Sequence, residues 1–201
     1  MTSIQKPLPS GFGEQSTPRE VLGNRTLEGR IAVVTGGYTG VGLETTRALA
    51  AAGATVVVPA RTPGKARAAL EGLARVELEE LDLMDPASID AFAARFLASE
   101  RPLHLLVNNA GLFSPALLRD ARGFESQWAT NHLGHFQLTV RLWPALKRAH
   151  GARVVCLSSR GHARGGVDLE DPNFERRPFD GNLAYGQSKT ANALFAVALD
   201  A

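Results

Sequence analysis

The run Arg30-Ile31-Ala32-Val33-Val34-Thr35-Gly36-Gly37-Tyr38-Thr39-Gly40-Val41-Gly42 joins an unbroken apolar segment to a glycine-rich turn, and a helix-favouring stretch follows at once. Apolar residues without alternation are what a strand covered on both faces requires. Glycines just after such a strand permit a tight turn, close approach of a pyrophosphate, and contact between helix and strand. The helix N-terminus adds free N–H groups and the positive end of its dipole. Together these features make a seat for a dinucleotide. The spacing is G-x-x-x-G-x-G rather than G-x-G-x-x-G, and no lysine follows to make a P-loop.

Working outward, short apolar runs alternate with longer helical segments. Strands are expected at Ile31 to Thr35, Thr55 to Val58, Val76 to Leu81, Leu103 to Val107 and Arg153 to Ser158. Helices are expected at Val41 to Ala52, Gly64 to Ala74, Pro86 to Ser99, Phe124 to Ala149, and from Tyr185 to the end, with Pro144 bending or breaking the fourth. This alternation predicts an α/β fold, a Rossmann-like doubly wound parallel sheet in a single domain spanning 29–201. Residues 1–28, with Pro7, Pro9, Gly11 and Gly13 among polar residues, read as an N-terminal arm. Within it Thr17 and Pro18 open a short helix, laid on the main body by Val21 and Leu22. The glycine- and proline-rich segment from Arg160 to Leu183 reads as a loop, and loops of that length are usually functional.

A chain of 201 residues with 44% hydrophobic and 21% charged residues suits one soluble core, and a net charge of +2 points to no nucleic acid partner. Cys156 is the sole cysteine, which excludes an internal disulfide and a cysteine-based metal cluster and suits a reducing compartment. No apolar run approaches the roughly 18 residues of a membrane span, and no signal peptide opens the chain, so the expected location is cytoplasmic.

The end of the second strand discriminates between NAD and NADP, because a carboxylate there binds the ribose hydroxyls and repels a 2′-phosphate. Here the run ends Val58-Pro59-Ala60-Arg61. Arg61 can pair with a phosphate and Thr39 can add a hydroxyl, which favours NADP over NAD, unless Arg61 merely starts a solvated helix. Asp82, with Leu83 beside it, is placed either to accept the adenine amino group or to form the turn before Pro86.

Tyr185 and Lys189 share a helix face. An ammonium roughly 5 Å from a phenol, at an effective dielectric near 20, favours the phenolate by about 3 kcal/mol. The pair is therefore suited to proton exchange, although an ordinary amphipathic helix with a lysine on it has the same pattern. His132 and His135 lie one turn apart but lack an accompanying carboxylate or cysteine cluster, so packing or hydrogen bonding is expected rather than a metal. Trp128 and Trp143 are expected in the core. His162, Phe174 and Phe179 either line a substrate entrance or anchor a solvated loop.

With these pieces in place, the chain resembles the short-chain dehydrogenase/reductase family, in particular its retinol-dehydrogenase-like and protochlorophyllide-reductase-like branch. The family's TGxxxGxG matches Thr35 to Gly42 (Thr35, Gly36, Thr39, Gly40, Val41 and Gly42), and its adenine-side acid matches Asp82. NNAG matches Asn108-Asn109-Ala110-Gly111, the helix asparagine Asn131, the strand-end serines Ser158-Ser159, and YxxxK Tyr185 to Lys189. The resemblance implies that Tyr185 is the general acid/base and that Lys189 tunes it and holds the nicotinamide ribose. It implies that Ser159, with Ser158 second choice, binds the substrate oxygen. Asn131 would hold a water linking Lys189 to solvent, and Asn108 to Gly111 would shape the floor beneath the cofactor. It further implies an alcohol or carbonyl substrate of apolar character and a possible homodimer through the helices beginning near Phe124 and Tyr185.

Members of the family usually continue beyond the YxxxK helix with further strands, whereas this sequence stops at Leu199-Asp200-Ala201. Five strands are therefore expected, with the family's C-terminal strands missing and the fifth left as an uncovered edge. Two functions follow as expectations: an NADP-dependent oxidoreductase, or a nucleotide-binding fragment or interaction module without turnover. A sugar-nucleotide epimerase or dehydratase also uses YxxxK but usually carries the other glycine spacing.

Overall fold

The short apolar runs pair into one parallel sheet of β1 (Ile31–Val34), β2 (Thr55–Ala60), β3 (Val76–Glu80), β4 (Leu105–Asn108) and β5 (Arg153–Cys156), in the order β3-β2-β1-β4-β5. The computed structural model describes residues 9–200; the first eight residues of the expected arm, Pro7 among them, and Ala201 lie outside the described residues. Consecutive strand residues feed opposite cores, as the two-residue period of a strand demands. Ala32, Val34, Val56 and Val58 are fully buried beneath α2 (Gly40–Ala51) and α3 (Pro63–Leu70). Val33, Val57 and Leu106 are fully buried on the other side, with Ile89 and Phe92 of α4 (Pro86–Ala98) and Leu138 and Leu142 of α6 (Gly134–Arg148). Each such burial is worth about 1.5–3 kcal/mol, which explains why the runs show no alternation of polarity.

After β3 the chain crosses back past β1 to add β4 on its other side. The strand order reverses there, and in open sheets of this kind ligands bind in that crevice, beyond the carboxyl ends of the strands. The two edges differ. On β3, Glu77 pairs with Arg101 at 2.9 Å and Glu79 with Arg95 at 3.3 Å, a charged border that discourages a further strand. On β5, the only pairing among the described residues is with β4, and Val155 is half-exposed.

Strand bounds differ from the sequence expectation by a residue or two and α3 stops at Leu70, four residues short of Ala74, but three other segments depart further. The expected helix from Phe124 to Ala149 is divided into α5 (Ser126–Trp128), a π-helical turn (Ala129–Leu133) and α6. The buried Glu125 carboxylate accepts from the N–H groups of Gln127 at 2.9 Å and Trp128 at 2.8 Å, so the helix starts after it. Gly134 lies so close to the Leu83 carbonyl that a Cβ would collide with it, and its N–H reaches back five residues to Ala129. Pro144 does not break α6, and both it and Val140, whose carbonyl a proline four residues on cannot pair, are on the exposed face of the helix. Trp128 is in the core as expected, whereas Trp143 is on the surface, 41% exposed.

The last helix, α7 (Gly181–Asp200), begins four residues before Tyr185. Asp180 accepts from Asn182 N–H at 2.8 Å and Leu183 N–H at 3.1 Å, an N-cap the sequence reading passed over. Residues 160–180 form a largely exposed strap tied to α7. It opens with a 3-10 helix (Arg160–Arg164), and Gln187 binds its main chain twice, at Asp168 N–H (3.0 Å) and the Pro172 carbonyl (2.9 Å). Phe174 is buried beneath the Arg177 guanidinium at 4.1 Å and edge-on to Phe179, so these aromatics anchor the strap and do not line an entrance. At the other terminus, Thr17 caps α1 (Pro18–Leu22) in a reciprocal box with Glu20, but Val21 faces solvent and only Leu22 is half-buried. No described helix is long and apolar enough to cross a membrane.

Candidate active site

Thr35 follows β1 directly and is almost fully buried where the crevice opens. Its hydroxyl accepts from the N–H groups of Asn109 and Ala110, both at 2.9 Å, and lies 2.8 Å from His135 Nε2. The other ring nitrogen, Nδ1, is 2.9 Å from the Asn131 main-chain oxygen, which can only accept, so Nδ1 carries the proton. Complete burial pushes the His135 pKa down to about 4, against the raising effect of that hydrogen bond. The ring is therefore neutral and Nε2 accepts the Thr35 hydroxyl proton. One histidine thus joins the glycine turn, the loop after β4 and the π-helical turn. Thr35 was expected among the dinucleotide contacts. Its hydroxyl and its carbonyl, the latter bound by Asn109 Nδ2 at 2.8 Å, are instead occupied in holding the two loops together. His132 is engaged as well, stacked on Trp128 at 4.8 Å and bonded to Asn192 Oδ1 at 3.2 Å.

The glycine turn is tight because Gly36 takes φ +64°, a conformation unfavourable to other residues. At Gly42 a Cβ would collide with the Gly36 carbonyl and Asn109 Nδ2, so the first turn of α2 rests directly on the loops. Thr39 makes no side-chain cap bond to α2, and Thr39, Gly40 and Val41 are exposed. The first N–H groups of a 12-residue helix, uncapped by a side chain, and the exposed Thr39 hydroxyl fit a pyrophosphate. Arg61, just past β2, is exposed and makes no ion pair among the described residues. Asp82 Oδ1 accepts from Met84 N–H at 2.9 Å, so the turn reading of this residue is realised. The Leu83 side chain belongs to the core with Ile89 and Leu138, which leaves only its main chain for a ligand.

The two serines after β5 point in different directions. Ser158 Oγ donates to the Lys189 carbonyl at 2.9 Å, whereas Ser159 Oγ accepts from Gly161 N–H at 3.1 Å and faces an open cavity of about 720 Å³. Tyr185 and Lys189 line the same cavity from α7, with Lys189 Nζ 5.5 Å from the centre of the Tyr185 ring. Nζ donates to the Leu157 carbonyl at 3.0 Å, and burial lowers its pKa. Asn131 sits behind them in the π-helical turn. Its side chain clamps both main-chain groups of Leu112, at 2.8 and 3.0 Å, and donates to Ser188 Oγ at 3.1 Å. Its carbonyl accepts from His135 Nδ1 at 2.9 Å. Gly111 is the meeting point, since a Cβ there would stand 3.4 Å from both Asn131 Oδ1 and Lys189 Nζ.

Among the lining residues that the sequence did not point to are Phe113, Arg160, Arg164 and Asn182. Phe113 stands edge-on to Tyr185 at 6.0 Å, while the other three fall in the segment taken for loop. The 3-10 helix carrying the arginines lies directly on α7. A Cβ at Gly186 would be 2.7 Å from the Gly161 carbonyl, and one at Gly161 would be 3.1 Å from Tyr185 Cδ1.

A family model described as short chain dehydrogenase matches residues 30–169. A protein named "Probable oxidoreductase" from Streptomyces lividans is 50% identical over 177 residues, which cover 85% of this chain and 59% of that protein. Retinol dehydrogenase 12 from Mus musculus is 42% identical over 178 residues, covering 86% of this chain and 56% of that protein. The chain thus spans less than two thirds of the length of these curated relatives. Among solved structures, an uncharacterized protein from Mycobacterium Paratuberculosis matches with TM-score 0.79 and 42% identity, over 87% of this chain and 63% of that one. A Pseudomonas aeruginosa RhlG/NADP active-site complex matches with TM-score 0.70 and 28% identity, over 87% of this chain and 67% of that one.

Proposed function

This chain belongs to the short chain dehydrogenase family, and from that premise we propose that it interconverts an alcohol and a carbonyl with NADP, residues 29–201 acting as the binding and catalytic unit and 1–28 as an arm. The observation that carries the reading is that Ser159 and Tyr185 face one cavity with Lys189 behind them, beside the loop that His135 and Thr35 fasten to the glycine turn. The nicotinamide, when bound, supplies or accepts the hydride. Tyr185 gives a proton to the substrate oxygen or takes it away, with the buried Lys189 5.5 Å from its ring centre. Ser159 holds the same oxygen by a hydrogen bond that strengthens as charge develops on it. Thr39 and the N–H groups of α2 hold the pyrophosphate, Arg61 the 2′-phosphate, and Asn109 to Gly111 the floor beneath the ring. The preference for NADP over NAD rests on Arg61 and on the absence of a carboxylate at the end of β2, and the RhlG complex with NADP is in keeping with it.

Leu112, Phe113 and the Tyr185 ring suit a substrate with an apolar body. Pairing with a second copy would use the surface of α6 and α7 that exposes Phe136, Val140, Trp143 and Leu194. One alternative is a nucleotide-binding module without turnover. Purified protein is expected to consume NADPH in the presence of a panel of aldehydes and ketones. NADP binding by calorimetry without consumption would favour the alternative, and no binding would overturn both.

A further inference from the structure

Every ionised side chain lining the cavity is a cation: Arg160, Arg164 and Lys189, with no carboxylate among the lining residues. Lys189 is buried and tied to Leu157, but the two arginines are exposed, and among the described residues neither makes an ion pair or donates a side-chain hydrogen bond. No carboxylate of the strap lines the cavity, and the exposed Glu170 and Glu175 lie outside that lining. Asp168 and Asp171 both face Arg177, at 3.1 and 3.6 Å, and Asp180 caps α7. The arginines are not carried on a loose segment either. Gly161 and Gly186 allow the 3-10 helix to lie against α7 at van der Waals contact, and the Arg164 Cβ is only 3.5 Å from where a Gly186 Cβ would stand, one residue from Tyr185. Asn182, the remaining polar residue on this side, adds an amide to the same wall.

A cavity lined by both cations and the aromatic rings of Phe113 and Tyr185 selects by charge as well as by shape. Guanidinium groups recognise planar or tetrahedral oxyanions with paired N–H donors. We propose that Arg160 and Arg164 form an anion-recognising wall, and that the preferred substrate is an alcohol or carbonyl compound with an apolar body and a carboxylate or phosphate at the end away from the reacting oxygen. This rests on the alcohol–carbonyl reading of the Ser159–Tyr185 site and adds the chemical class of its substrate.

The test separates the two. Calorimetry in the presence of NADP measures binding of benzyl alcohol, 4-(hydroxymethyl)benzoate and 4-(hydroxymethyl)phenyl phosphate, and NADPH consumption is followed with the corresponding aldehydes. At least one anionic alcohol is expected to bind about tenfold tighter than benzyl alcohol, by an amount that shrinks with added salt. The carboxylate and phosphate arms identify which oxyanion the wall takes. In the Arg160→Gln/Arg164→Gln variant, whose fold is checked by its thermal midpoint, the advantage is expected to fall to about twofold or less. Equal binding of neutral and anionic alcohols, no binding of any, or an advantage that survives the double substitution would overturn the wall. Consumption of NADPH with benzaldehyde but no anionic preference removes this inference alone. Selective anion binding without turnover of any aldehyde removes the reductase reading and leaves the wall standing.

Discussion

The Thr35 hydroxyl and His135 Nε2, 100 positions apart in the chain, meet at 2.8 Å in a fully buried hydrogen bond. The same hydroxyl accepts from Asn109 and Ala110, and the same imidazole donates to Asn131, so the glycine turn, the floor of the cavity and the residue behind Lys189 share one network. Such a network is costly to disrupt because each buried group left unpaired forfeits its solvation.

The network makes stability depend on pH. His135 titrates at about 4 in the folded protein against 6.5 as its ordinary value, so the unfolded chain binds more protons between those limits. Stability is therefore fully present above pH ~6.5 and falls as pH drops toward ~4, by up to about 3 kcal/mol. A His135→Leu variant, although less stable at neutral pH, is expected to show a shallower fall across that window in denaturant titrations. An equal slope in both proteins would mean that the histidine is not held neutral by the fold.

Arg61 tests the choice of cofactor. Arg61→Asp places a carboxylate where a 2′-phosphate would sit, and is expected to reverse the ratio of NADP to NAD affinity in favour of NAD. A ratio that does not move would remove Arg61 from the cofactor contacts.

The contact between the 3-10 helix and α7 is tested at Gly186. Alanine normally stabilises a helix relative to glycine by about 1 kcal/mol. Here its Cβ would stand 2.7 Å from the Gly161 carbonyl, and a main-chain atom cannot yield as a side chain does. Gly186→Ala is therefore expected to destabilise by about 1–3 kcal/mol, and to lower turnover as Ser159 shifts relative to Tyr185. Gly165→Ala, with nothing within 4 Å of its Cβ position, is the control and is expected to leave the thermal midpoint within error. A Gly186→Ala protein as stable as the original would show that this approach is not tight.

The centre of the sheet was legible because β1, β2 and β4 are mostly buried, and Ile31 to Val34 or Leu105 to Val107 carry that burial in their composition. Tyr185 and Lys189 share one face of α7, as their four-residue spacing predicts, whereas Ser159 was singled out only by the family resemblance. What escaped was set by contacts between distant segments. The π-helical turn arises where Gly134 meets Leu83, and the early start of α7 depends on a cap that competing loop residues obscured. The strap is ordered by Gln187 and Phe174, neither of which announces a partner in sequence. Thr35 was assigned to the cofactor because its motif lies at the dinucleotide seat, but its partners, Asn109, Ala110 and His135, lie 74 or more positions away. Trp143 was assigned to the core by residue type, and only the phase of α6 puts it outside.

The central claim is that Tyr185 exchanges a proton with the substrate oxygen and takes no essential part in holding the cofactor. The direct measurement is NADPH consumption with an aldehyde substrate by the original protein and by Tyr185→Phe, alongside NADP affinity by calorimetry. Loss of the hydroxyl is expected to lower turnover by about 10²–10⁴-fold and to leave NADP affinity within a few-fold. A Tyr185→Phe protein that keeps most of its activity would contradict the claim.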